Sequence, residues 1–152
     1  MKALSGAEVA GYLRGLIHAK TQVQSKWVDL TAKGIYVLED SGSLDFGGSE
    51  LEIAGRRECP KEKRKPEDKY SWWELGEGNY IMELNEIFSL PEGRIGVLQP
   101  RPEFLANGAS HPTLLISPGE ELPLVPIIVG KAGVKIKENA RVSRLFIFKV
   151  VD

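Results

Sequence analysis

The 152-residue chain is 42% hydrophobic and carries 20 Lys+Arg against 21 Asp+Glu, a formal net charge of −1. That length suits a single domain spanning 1–152 with a core built without metals or staples, and the charge balance excludes the global basic field that would draw in nucleic acid or an anionic membrane. One cysteine, Cys59, excludes an internal disulfide framework and any cysteine-rich zinc site, and the absence of a long apolar run or an apolar signal core leads us to expect a cytoplasmic protein.

Ser5-Gly6-Ala7-Glu8 fits a capping box, in which the serine oxygen takes a free helix N–H and the glutamate reaches back to the cap. Val9, Tyr12, Leu13, Leu16 and Ile17 follow at helical spacing, which predicts one apolar helix face ending at His18, where a cationic ring would meet the negative pole of the dipole. Beyond it, 16 glycines and 9 prolines cut the chain into short runs rich in β-branched and aromatic residues, the pattern of a sandwich or barrel. Strands are predicted over Trp27–Thr31, Ile35–Leu38, Leu51–Ala54, Tyr80–Glu83, Ile95–Gln99, Thr113–Ile116, Leu124–Val129, Val134–Lys137 and Val142–Val150. The last is apolar at Phe146, Phe148 and Val150 as well as at Leu145 and Ile147, so both its faces should be covered, by the N-terminal helix or by another subunit.

Between strands, Arg56–Lys69 mixes both signs of charge and two prolines and reads as a solvated loop, its acidic residues cancelling most of a polyanion-binding field. Trp27 and the pair Trp72-Trp73 suit base or sugar stacking. Neighbours on a strand face opposite ways, however, so one of the pair is expected in the core and the other over an edge or interface. His18 and His111 lack metal-site spacing; His111, beside Pro112, belongs to a turn and is exposed or lines a pocket. Nucleophilic triads, phosphate-loop and dinucleotide motifs are absent. Gln99-Pro100-Arg101-Pro102-Glu103 stands out, because two prolines fix the backbone around one arginine, which then either grips a phosphate or pairs with Glu103.

Several blocks resemble the dUTPase and dCTP deaminase superfamily, the deaminase branch more closely. Leu4-Ser5 opens a capped helix, Val23-Gln24 leads to Val28-Asp29-Leu30, and Gly78-Asn79-Tyr80-Ile81 is followed by Leu90-Pro91-Glu92-Gly93, as in that branch. The family's Arg-Ser-Ser motif with its later glycine lies on Arg101-Pro102-Glu103 and Gly108, with both serines replaced. Its Asp-Pro-Gly element appears as Ser117-Pro118-Gly119; Ile127 stands where deaminases carry a proton-transferring glutamate, and Gly130 where an asparagine ends that strand. The final block resembles Asn139 to Phe146, with Arg144 in place of glutamine, and with the chain ending at Asp152 the nucleotide-closing tail of dUTPases is expected to be missing.

The resemblance implies a mostly β, distorted jelly-roll-type barrel with a short N-terminal helix, a homotrimer binding a deoxynucleoside triphosphate between subunits. It implies hydrolysis of dUTP to dUMP and pyrophosphate, with magnesium only if the protein is catalytic. In that picture Asp29 orders water or metal, Arg101 neutralises phosphate charge, Glu103 serves as base, and Gly108, Lys131 and Arg144 contact substrate. The alternative is a catalytically inactive trimeric module of the same fold that binds a nucleotide or a protein. Deamination of dCTP is disfavoured because an isoleucine cannot move a proton.

Overall fold

The structure is a computed structural model that describes residues 1–121 and 124–150. In chain order the elements are β1 (Lys2–Ala3), α1 (Gly6–Ala10), β2 (Leu13–Arg14), α2 (Ala19–Gln22), β3 (Val28–Leu38), β4 (Arg56–Glu58), β5 (Trp72–Leu75) and β6 (Gly78–Leu84). They continue with β7 (Ile87–Phe88), β8 (Arg94–Pro100), α3 (Pro102–Ala106), β9 (Ala109–Ser110), β10 (Leu114–Ile116), β11 (Val125–Val129), β12 (Val134–Lys137) and β13 (Arg141–Lys149).

One antiparallel sheet runs in the order β10-β8-β13-β3-β6-β11-β9, with β1 added to β13 and β4 to β3; β12 pairs with β5 and β2 with β7. Strands that far apart in sequence are joined by long-range pairing, and the sheet curls into a half-barrel that closes on its own apolar face. Val28, Leu30, Ile35, Met82, Leu98, Ile127, Leu145 and Ile147 are all buried in that core. The mostly β expectation holds, and Val134–Lys137 is matched residue for residue.

The N-terminal helix is shorter than its apolar spacing predicts. Its capping box forms, Ser5 Oγ accepting from the Glu8 amide and Glu8 Oε1 from the Ser5 amide, both at 3.1 Å. Gly11 ends it after little more than one turn. Leu13 then pairs with Phe88 as a strand, so Tyr12, Leu13 and Leu16 reach the core through extended chain, while Ile17 is left exposed. His18 closes no helix; it precedes α2, its Nδ1 at 2.7 Å from the Thr21 hydroxyl.

The two strands predicted over 27–38 form one, β3, with a register shift between Ala32 and Gly34. The predicted strand at Leu51–Ala54 is instead one side of a hairpin held by the Ser43–Glu52 bridge, and Arg56–Glu58 of the presumed loop pairs with β3. Of the tryptophan pair, Trp73 enters the core and Trp72 is half-buried at the edge. β13 is central, between β8 and β3; α1 packs on it and Trp27 lies 5.8 Å from Phe146, which supplies part of the cover expected for its outer face.

Candidate functional site: an arginine cluster around Asp29

The chain leaves β8 at Pro100, which sits opposite Ser143 of β13, and turns into α3 with Arg101 as N-cap. Pro102 suits the first turn, where its missing N–H is not needed. The turn aims the Arg101 side chain back at β3. There Asp29 is 1% exposed and surrounded by donors. Trp27, just ahead of β3, donates from Nε1 to Oδ1 at 3.0 Å, and Arg141 Nη1 donates to Oδ2 at 3.0 Å. Arg101 Nε lies 3.4 Å from Oδ1, while its Nη2 is 3.2 Å from Glu103 Oε2 and its Nη1 donates to the Arg141 carbonyl.

Arg144 faces Asp29 across the β13–β3 register and lays its guanidinium over the Trp27 ring, 4.4 Å from the centroid. Three guanidinia thus gather around two carboxylates, one buried and one, Glu103, open to solvent. The Nε atoms of Arg101 and Arg144 are buried without a hydrogen bond, that of Arg101 facing Asp29 Oδ1 as an ion pair, so the cluster carries more positive charge than its two carboxylates balance. That arrangement favours an anion.

It does not fit a magnesium ion held by protein ligands. Both Asp29 oxygens are engaged by Trp27, Arg141 and Arg101, Glu103 is paired to Arg101, and among the described residues no group of three His, Cys, Asp or Glu side chains is placed to hold a metal. Asp29 thus accepts from Trp27 and Arg141 and has Arg101 beside it in this structure.

Gly108 and Lys131 sit apart from the cluster, beyond the other end of α3. Gly108 adopts φ +84°, a left-handed conformation suited to glycine, and its carbonyl accepts from Gly130 at 2.8 Å, which sets the turn that carries Lys131. Lys131 lines an open hollow of about 570 Å³ with Asn107, Gly133 and Lys135. The structure thus brings Asp29, Arg101, Glu103 and Arg144 together and leaves Gly108 and Lys131 outside. Arg141 was missed by the sequence reading; it lies three residues from Arg144 but gives no local sign of pairing with an aspartate 112 positions away.

His111 is buried, 4% exposed, and lines a mostly apolar pocket of about 600 Å³ with Tyr80, Pro112, Ile127 and Ile128. Burial holds its pKa below the ordinary histidine value against the pull of the Pro112 carbonyl. In the neutral ring Nδ1–H donates to that carbonyl at 2.8 Å, and Nε2 accepts from the Ser143 hydroxyl at 2.8 Å. Ile127, 1% exposed, brings no proton-transfer group to this pocket.

Among curated proteins, the chain is 31% identical over 140 residues to "Probable deoxyuridine 5'-triphosphate nucleotidohydrolase" of Methanosarcina mazei, covering 90% of this chain and 77% of the relative. The chain belongs to the dUTPase and dCTP deaminase superfamily. A relative of the same name from Archaeoglobus fulgidus is 30% identical over 159 residues, covering 99% of this chain and 89% of its own. No family model matches the chain. Among solved structures, the 2'-deoxycytidine 5'-triphosphate deaminase of Agrobacterium tumefaciens superposes with a TM-score of 0.68 at 15% identity, over 97% of this chain and 48% of that one. The chain thus spans about half the length of that deaminase, and the likeness shows the fold. This dUTPase-like chain has, among its described residues, no helix long and apolar enough to cross a membrane.

Proposed function

We propose that this protein hydrolyses dUTP to dUMP and pyrophosphate, with Arg101 and Glu103 at the centre of the chemistry. The observation that supports this reading is the convergence of Asp29, Arg101 and Glu103 in one cluster, with the Glu103 side chain 63% exposed and so within reach of a substrate water. Glu103 takes a proton as that water attacks the α-phosphorus. The bond from this phosphorus to the bridging oxygen breaks, and pyrophosphate leaves with the charge that Arg101 neutralises. Asp29 positions Arg101 and Arg141, and Arg144 adds a cation beside Trp27. Gly108 and Lys131 serve substrate from the far end of α3, in an assembly where a trimer builds each site from neighbouring subunits. Magnesium enters as the nucleotide's counter-ion.

A specific observation favours a second reading, in which the same fold binds a nucleotide or a protein partner without turnover. Ser117 replaces a carboxylate, Ile127 replaces another, and Asp29 has both oxygens engaged. The two readings part in an assay of pyrophosphate and ammonia release from dUTP and dCTP with magnesium, run on the wild type beside Arg101→Ala and Glu103→Gln. The hydrolase reading expects dUTP turnover that falls by about 10²-fold or more in either variant, with no ammonia released from dCTP. A folded wild type that turns over neither nucleotide establishes the second reading.

A further inference from the structure

Glu86, between β6 and β7, is 1% exposed, and among the described residues no cation pairs with it. A charge buried that way has to be held by donors. Beyond Ala32 and Leu84, the terminal pair of β3 with β6, the Asn85 amide donates to the Thr31 carbonyl at 3.0 Å. The Glu86 side chain takes the rest of Thr31: Oε1 accepts from its amide at 2.8 Å and Oε2 from its hydroxyl at 2.6 Å. Gln22 Nε2 donates to the same Oε2 at 2.8 Å. Three donors converge, so an amide in place of this carboxylate would set a donor against a donor in either orientation.

Gln22 is 2% exposed and uses its whole hydrogen-bonding capacity. Its Oε1 accepts from the Ile17 and His18 amides at 2.7 and 2.9 Å, and its Nε2 donates to Glu86 and, at 2.9 Å, to the Asp29 carbonyl. Two donors on one side and two acceptors on the other leave the amide a single orientation. Gln22 thereby ties the main chain at 17–18 to that of β3 at Asp29, and a fully satisfied buried network of this kind is rigid.

Arg141 bridges the same two segments. It stands opposite Thr31 in the β13–β3 pairing, and its Nη1 donates to Asp29 Oδ2 at 3.0 Å and to the Thr21 carbonyl at 3.4 Å. Thr21 is the neighbour of Gln22, and Asp29 is the residue whose carbonyl Gln22 holds, so one side chain sets the place of both acceptors. Among the described residues Nε and Nη2 of Arg141 make no hydrogen bond, and its side chain lines a hollow of about 190 Å³ with Trp72, Glu103, Phe104 and Lys137. Held at one nitrogen, the guanidinium keeps the other two to offer to a phosphate.

We propose that Arg141 binds a phosphate of the nucleotide, and that Gln22 and Glu86 are the positioning residues that hold it ready. The inference rests on the reading that a nucleotide meets the arginine cluster, with or without turnover. It is tested by calorimetry with a non-hydrolysable dUTP analogue and magnesium, beside urea titration of the same preparations. Arg141→Gln removes a charge-assisted bond and should weaken binding about tenfold. Glu86→Gln keeps the shape but loosens Gln22; it should weaken binding about fivefold, yet add almost nothing in the Arg141→Gln background. The exchange Gln22→Glu/Glu86→Gln separates positioning from bracing. The reversed pair can bond to each other and to the Ile17, His18 and Thr31 amides, so the urea midpoint should recover. The Asp29 carbonyl, however, then faces a carboxylate in place of a donor, and binding should stay about fivefold weaker than in the wild type. The exchange carries the test by itself if Glu86→Gln does not fold. Affinity restored along with stability in the exchange, or losses that multiply in Glu86→Gln/Arg141→Gln, would overturn the positioning role. A folded wild type that binds neither the analogue nor pyrophosphate would overturn the nucleotide reading itself.

Discussion

Asp29→Asn tests whether the buried carboxylate organises the arginines. The substitution keeps shape but leaves one acceptor oxygen, so Trp27 or one arginine must lose its partner. Arg141, with its side chain 36% exposed, regains water, and its share of the loss is close to the roughly 0–1 kcal/mol of a surface pair. Arg101 is only 15% exposed. Stripping the countercharge from a buried pair costs about 3–5 kcal/mol, and Glu103 on Nη2 offsets part of it, so a loss of about 3 kcal/mol is expected. With a urea slope of about 2 kcal/mol/M, the unfolding midpoint should fall by about 1.5 M. Asp29→Asn/Arg101→Gln should recover most of that, because the orphaned cation is gone. A midpoint within about 0.3 M of wild type, or additive losses in the double variant, would refute this account of Asp29.

Two further predictions concern stability. Burial holds the Glu86 carboxyl above the ordinary carboxylate range, although the Thr31 hydroxyl and amide and Gln22 Nε2 all donate to it and pull the other way. A carboxyl with a raised folded pKa binds more proton in the native state than in the unfolded one, so its contribution falls as pH rises from the ordinary value through the folded one. Thermal midpoints scanned upward from about pH 4.5 should lose this component in Glu86→Gln, and an unchanged slope would remove Glu86 as its source. Gly6→Ala is expected to cost about 3 kcal/mol, since the new Cβ would collide with the Gln24 carbonyl oxygen and stand 2.9 Å from that of Trp27; urea titration reads it, and a midpoint like that of wild type would show that this turn yields.

What could be read from the sequence divides by range. Val134–Lys137 and the β8, β11 and β13 strands announce themselves by alternating or continuous apolar residues, and the capping box at Ser5 fixes where α1 begins. Where α1 ends was not legible: Tyr12, Leu13 and Leu16 are half-buried against the core as a helix face would be, but through a strand pairing with β7 some 75 positions on. Leu51 and Ile53 alternate as a buried strand does, yet they are 47% and 83% exposed. Arg101 was legible because two prolines pin it. The ties from Asp29 to Arg141 and from Thr31 to Glu86 were not, since a buried charge is defined by residues the fold brings from far away.

The exposed half of the cluster separates binding from chemistry. Glu103 holds one end of Arg101 and subtracts a unit of charge from a site with three guanidinia. Glu103→Gln keeps the shape and releases that end of Arg101 toward an incoming phosphate. Two unit charges about 5 Å apart interact by about 0.8 kcal/mol in water, so removing the repulsion between Glu103 and a nucleotide phosphate should tighten binding of a non-hydrolysable dUTP analogue about fourfold. If Glu103 is also the base, turnover falls in the same variant, and affinity and rate move in opposite directions. A purely structural Glu103 would instead loosen Arg101 and weaken both. Calorimetry with the analogue beside pyrophosphate release on the same preparation distinguishes the two, and weaker binding by Glu103→Gln would refute the role given to Glu103 here.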